Sequence, residues 1–378
     1  MASSSEQRRA YTGPVIFSHG FRVFFLAAGA WAAISMLIWV VTISTGSVPG
    51  IDVDWHMHEM VFGYTTAVIA GFLLTAVPNW TGRMPVVGWP VSGLAAVWLA
   101  GRIALLFPWS AGALIDVSFL LILGAVIARE VIAGKNWKNL PVLALVMLLA
   151  VANGVFHYEA LSGGAYRGYG IRAGVGVIVF LISLIGGRVI PSFTRNWLAK
   201  RGEGRLPVPF NRYDKVTLLV SGVFIISWIA APEFWLLRGL AIVVGVLHLV
   251  RLSRWAGDRT FAEPLLTILH VGYLFIPVGY LMIGFGAGVP HAWTAGAGGV
   301  MTLAIMTRAS LGHSGRALTA SRGISAIYVM VVLAVVTRIL AEFFPGSIGL
   351  LHLSATTWIL GFAGFVAVYF PLLTRPKP

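Results

Sequence analysis

The run DVDWHMHEMVFGY, Asp52 to Tyr64, sets His56, His58 and Glu59 at the mouth of a long apolar stretch. Imidazole and carboxylate groups ligate metals and move protons near neutral pH. Inside an apolar stretch they are costly and call for a partner or a task. His56 and His58 are two residues apart, so on a helix they point to nearly opposite sides and take separate tasks. With Asp54 as the N-cap, His58 faces inward with Phe62 and Thr65, while His56 turns toward another helix or toward water. Glu59 either hydrogen-bonds a histidine and relays protons, or is a helix-start carboxylate favoured by the dipole.

Such a motif needs helices to place it, and the composition supplies them. Of 378 residues, 58% are hydrophobic and 11% charged, and the mean hydropathy is +0.87. A soluble domain carries about a quarter charged residues, so the chain reads as an all-α polytopic membrane protein. A bilayer core takes about 20 apolar residues per helix. Twelve spans are expected, over 20–44, 57–78, 86–107, 109–132, 139–160, 170–192, 214–231, 235–252, 264–286, 290–309, 322–342 and 346–373. Residues 1–19 and 374–378 are then short tails around a single membrane domain, 20–373, and the polar N-terminus has no signal-peptide core.

Net charge is +14, and its distribution speaks for topology. Of 27 Lys and Arg, 20 fall in the two tails and the even-numbered inter-helix loops, 3 in the opposite loops and 4 inside helices. Positive residues stay on the cytoplasmic side, so both termini are expected in the cytoplasm of a bacterial inner membrane. The positive charge anchors anionic lipid and gives no support for nucleic-acid binding. With no cysteine, Fe–S clusters and thiolate metal sites are excluded. Ligands must come from His, carboxylate, Met or Tyr.

Depth along each helix sorts the histidines. His56, His58, His157, His291 and His352 fall toward the outer face, and His19, His248, His270 and His313 toward the cytoplasmic side. Arg102 and Arg338 each sit roughly 24 Å up their helices at 1.5 Å per residue, in the same outer layer. Outer histidines could hold a haem iron and the arginines its propionates. The competing account is snorkelling arginines and interfacial histidines packed on aromatics. His270 lies inside its helix and is the leading cytoplasmic-side candidate, whereas His248 reads as packed or interfacial.

The inner ends of helices two, six and ten resemble one another: GFLLTAVPNWTGR, LISLIGGRVIPSFTRNW and LAIMTRASLGHSGR. Their register aligns His58, Ile171 and His291 and divides the chain into three four-helix units. This arrangement distantly resembles the haem–copper oxidase core subunit, which holds a low-spin haem between its second and tenth helices. Its copper-ligating histidines on helices six and seven have no counterpart here. The strings WHMHEMVFGY, AGFLLTAVPNWTG, GGRVIPSFTRNW, LHVGY and GAGGVMTLAIMTRASLGHSGR resemble more specifically the NnrS family, from about Phe17 to Pro371. That resemblance implies a twelve-helix membrane protein with haem, copper as a further metal, and a role in nitric oxide metabolism during denitrification or nitrosative stress. It also implies ligand roles for His56, His58 and His291, with His270 and His313 in further motifs.

The leading expectation is an oxidoreductase that reduces NO to N2O at one or two b-type haems. His58, His291, His56 and His352 are the candidate metal ligands. Arg102, Arg338 and His270 are further haem contacts. Glu59, Arg338 and Glu342 are candidates for proton movement and charge stabilisation, with Asp116 as another carboxylate in the same layer. The partners are nitric oxide, an external electron donor (a cytochrome or quinol) and membrane lipid. The first alternative is a non-catalytic haem protein that binds NO or carries electrons or metal. The second is a small-molecule transporter, which twelve helices would suit but a threefold repeat would not.

Overall fold

A computed structural model describes residues 11–46, 48–107, 110–287 and 291–376. Residues 1–10 of the expected N-terminal tail, 377–378 of the C-terminal tail, and the expected first residues of the fourth and tenth helices, 109 and 290, lie outside the described residues. Among the described residues the regular structure is helical. The helices are α1 Gly20–Thr45, α2 Val53–Thr81, α3 Trp89–Ala104, α4 Gly112–Ala133, α5 Leu140–Leu161 and α6 Tyr169–Leu198. Then follow α7 Arg212–Ala230, α8 Leu236–Ser253 and α9 Pro264–Gly284. A π-helical segment Ala292–Val300 runs into Met301–His313, together α10, and α11 Arg322–Phe343 and α12 Ile348–Thr374 complete the chain.

Ten of these helices are long and apolar enough to cross a membrane. The expected third and tenth spans take other forms. α3 has 16 residues, short of the ~20 that a bilayer core requires, and Pro108 stands just beyond it in the sequence. α10 joins a π segment to a regular helix of 13 residues. Local chemistry sets the other ends. Asn211 and Asp214 form a reciprocal capping box at α7. Glu263 caps α9, with Pro264 at its first position. Gly46, at φ 86°, closes α1 in the left-handed conformation that a glycine adopts without strain.

The helices bury polar groups and expose apolar ones, the inverse of a water-soluble bundle. On α7, Thr217, Ser221 and Asp214 are buried, while Val216, Leu219, Val223 and Ile226 line an exposed stripe. Leu219 is 69% exposed, which is tolerable where the surrounding medium is lipid. The chain is a multi-pass membrane protein.

The described residues form two compact units. The first runs up to Gly174 and includes Ala309–Ala317 and the segment from Phe362 onward. Within it α2 packs on α1 and α4, and α4 packs also on α3 and α5. Small residues permit close approach: a Cβ on Gly71 would come 2.7 Å from the ring of Phe25, and one on Gly101 3.2 Å from Cα of Asp116. The second unit comprises Val175–Arg308 and Leu318–Gly361. There α9 packs between α8 and the π segment of α10, with α7 against α8 and α11 against that π segment.

Candidate functional site

In the first unit the opening motif forms the beginning of α2. The N-cap is Asp52, whose carboxylate accepts from the Trp55 amide at 2.8 Å, and not Asp54 as the sequence suggested. Asp54 instead accepts from the amide of Ala165 at 2.7 Å. The helix therefore starts before His56, and His56 stacks flat on Trp39 of α1, ring centroids 4.7 Å apart. His58 turns the other way into the core, against Phe62 and Phe156.

Immediately after His58 the helix widens into a π turn, Glu59–Tyr64. The wider turn holds Glu59 and Gly63 at the centre of a polar cluster. Gly63 is required there: a Cβ would fall 2.5 Å from Glu59 Oε2, 2.6 Å from Arg102 Nη1 and 3.1 Å from Trp31 Nε1. Trp31 Nε1 and Arg102 Nη1 each donate to Glu59 Oε2 at 2.6 Å. Arg102 Nη2 pairs with Asp116 Oδ1. Trp98 donates to the Gly63 carbonyl at 3.0 Å.

His58 is held from both sides. Its Nδ1 lies 3.0 Å from Glu59 Oε1, and its Nε2 lies 3.0 Å from both Asp116 Oδ2 and Asn153 Oδ1. Asn153 Nδ2 donates to Asp116 Oδ2 at 2.7 Å, and His157 Nε2 lies 2.9 Å from the same oxygen. Every side chain in this group is buried. One ligand atom each from His58, Asp116 and His157 falls within 4.8 Å of the others, a set that could hold a metal ion. The structure thus brings His58, Glu59, Arg102 and Asp116 together. It adds Asn153 and Trp31, to which sequence reasoning gave no role, and His157, which sequence reasoning placed in the outer layer but not among the named ligands. The available signal was the four-residue spacing of Asn153 and His157, which puts both on one helix face.

In the second unit His291 Nδ1 lies 2.6 Å from Glu342 Oε1, so that the imidazole donates to the carboxylate. Arg338 Nη1 is 3.7 Å from the same oxygen. His291, like His58, immediately precedes a π segment. His352 is exposed on α12, and among the described residues the hydrogen bond and ion pairs of that group join His291, Arg338 and Glu342 without it. His270 is buried in α9, where its Nδ1 donates to the Leu266 carbonyl at 3.1 Å and the Nε2 edge of its ring packs against the backbone at Gly257. His248 belongs to another buried network, with Nε2 2.9 Å from Ser221 Oγ and Nδ1 2.9 Å from the Tyr273 hydroxyl. Arg251 links that hydroxyl to Asp214.

These donor sets test the haem implied by the sequence resemblance. A ligating imidazole is fixed through one nitrogen and offers the other to the metal. His291 fits, with Nδ1 committed to Glu342 and a guanidinium nearby for an acidic group. His270 commits Nδ1 to a backbone carbonyl, but the Nε2 edge of its ring lies against the backbone at Gly257, which leaves no space for a macrocycle. His58 does not fit as arranged, because both ring nitrogens have oxygen neighbours at 3.0 Å and Nε2 has no open side for a macrocycle. No curated protein matches the sequence. The family described as NnrS protein matches residues 15–377, nearly the whole chain, and the protein therefore belongs to the NnrS family.

Proposed function

We propose that this NnrS-family protein holds a b-type haem inside the bacterial inner membrane and reduces nitric oxide to nitrous oxide, in defence against nitrosative stress or in denitrification. The observation that carries the reading is His291, whose Nδ1 is committed to Glu342 at 2.6 Å beside Arg338. Imidazole backed by carboxylate is how proteins orient a metal-binding histidine. The π segments that follow His58 and His291 support the repeat register that makes the two positions equivalent. The charge distribution of the sequence supports twelve crossings with both termini cytoplasmic.

The reaction is 2 NO + 2 H+ + 2 e− → N2O + H2O. Bound haem supplies an iron that takes NO and passes electrons. NO is small and neutral, so it enters from lipid. Glu342 holds the His291 ring, and Arg338 supplies fixed positive charge for the negative charge that builds as the N–N bond forms. Glu59 and Asp116 are the buried carboxylates that carry protons in the first unit. Electrons come from a separate cytochrome or quinol. Copper enters as a further metal only where a donor set fits it. A second reading is a haem protein that binds NO or carries electrons without reducing NO, which requires that two histidines of one layer ligate the iron and leave no position for NO. His270 and His291 do not make that pair, because His270 stands near the Pro264 end of α9 and His291 follows its Gly284 end.

Protein produced with ample haem and purified in detergent tests the proposal. The reduced spectrum is expected to show a b-type Soret band that shifts on adding NO, and His291→Ala should lose or shift it. A wild-type protein without a Soret band overturns the reading.

A further inference from the structure

The first unit contains a cluster whose two histidines, His58 and His157, the haem reading leaves without a metal. We propose that His58, Asp116 and His157 form a separate, non-haem centre for a divalent first-row transition-metal ion, with Asn153 beside it and Glu59 holding His58 from behind. The three ligand atoms come from α2, α4 and α5 and lie within 4.8 Å of one another.

The hydrogen bonding around His58 calls for a cation at that point. Asn153 donates to Asp116 through Nδ2, which fixes the amide so that its Oδ1 faces His58 Nε2. Nε2 therefore meets two oxygens that can only accept, and Nδ1 meets a third on Glu59. A neutral imidazole has a single N–H to offer. With Nδ1–H donated to Glu59, the Nε2 lone pair of a neutral ring faces oxygen lone pairs, so the position takes a cation, either a proton on Nε2 or a metal ion bound there. The formal charges agree. Glu59 and Asp116 bring two negative charges, both more than nine-tenths buried, and among the described residues Arg102 is the arginine that pairs with both. Leaving the remaining charge unmatched in a buried site is costly.

The donor types narrow the ion. Two imidazoles and one carboxylate suit Fe(II), Cu(II) and Zn(II), and the absence of thiolate disfavours the soft monovalent metals. Glu59 on the far nitrogen of His58 is the outer-shell carboxylate that such sites use to fix tautomer and ring orientation. The oxygens around Nε2 that exclude a macrocycle are well placed for a bare ion.

The test uses the full chain in detergent, stripped with a chelator and offered Zn(II), Cu(II) or anaerobic Fe(II) separately. Metal per chain is measured by elemental analysis and haem by absorbance. Wild type is expected to retain a single ion per chain. His157→Ala and Asp116→Asn should fall to background with the Soret band unchanged, and Glu59→Gln should weaken binding about 10–100-fold. The Cu(II)-loaded wild type should show electron paramagnetic splitting from two ring nitrogens, a readout that does not depend on any variant folding. Wild type that retains none of the three ions, equal metal in wild type and His157→Ala, or copper coupled to fewer than two nitrogens overturns the proposal. So does loss of haem from His157→Ala while metal is kept. A missing Soret band would defeat the haem reading alone, since the metal count is read independently.

Discussion

One guanidinium, that of Arg102, holds two buried carboxylates, Glu59 and Asp116. Removing one partner of a buried ion group leaves uncompensated charge, which costs about 3–5 kcal/mol. Arg102→Met keeps much of the side-chain volume and should lower stability by about that amount in detergent unfolding. The control is Arg83→Met, because Arg83 is 42% exposed where it meets Glu130. A pair of that kind contributes about 0–1 kcal/mol. Equal melting of the two variants would mean that the cluster does not hold the first unit together. His58, Glu59 and Arg102 were legible from sequence because an ionisable group in an apolar run stands out by its cost. Asn153, His157 and Trp31 were not, because an amide, an interfacial-looking histidine and a membrane tryptophan are ordinary in isolation. They become a site only when α5 and α1 pack beside α2.

At the scale of elements, the π turn is what the sequence concealed. Hydropathy placed a helix over 57–78, and the structure extends it to Val53–Thr81. The widening at Glu59–Tyr64 depends on which carbonyl each amide reaches, and averaging over a window of side chains erases it. Thr65 marks the turn by donating to the Met60 carbonyl, five residues back, at 2.9 Å. π turns interrupt regular helices mostly at functional sites, and here one frees the space at Gly63. Gly63→Ala must displace Glu59, Arg102 or Trp31, so melting temperature and bound metal should both fall. Gly93→Ala, in α3, meets open space, and should be neutral or stabilising by up to about 1 kcal/mol. If Gly63→Ala behaves like Gly93→Ala, the cradle at the π turn has no role. The inner-end repeat was visible as similar strings, and its echo is that His58 and His291 each stand just before a π segment.

At the scale of the whole molecule, the membrane class was the easiest property to read, because composition alone separates lipid from water as solvent. Span count was harder. α3 is 16 residues and α10 is part π, so neither reads as a regular spanning helix by length, even though the sequence around both is apolar. Topology can be measured directly. A fluorescent reporter that matures only in the cytoplasm should glow at either terminus, and an alkaline phosphatase fusion at either should be inactive; opposite results at the two ends would contradict an even number of crossings. The function turns on one experiment, in which reduced, haem-loaded protein is mixed anaerobically with a known amount of NO and the gas phase is analysed. The account predicts one N2O for every two NO consumed, with loss of turnover in His291→Ala. A stable nitrosyl spectrum with no N2O would contradict it and leave a protein that binds nitric oxide without reducing it.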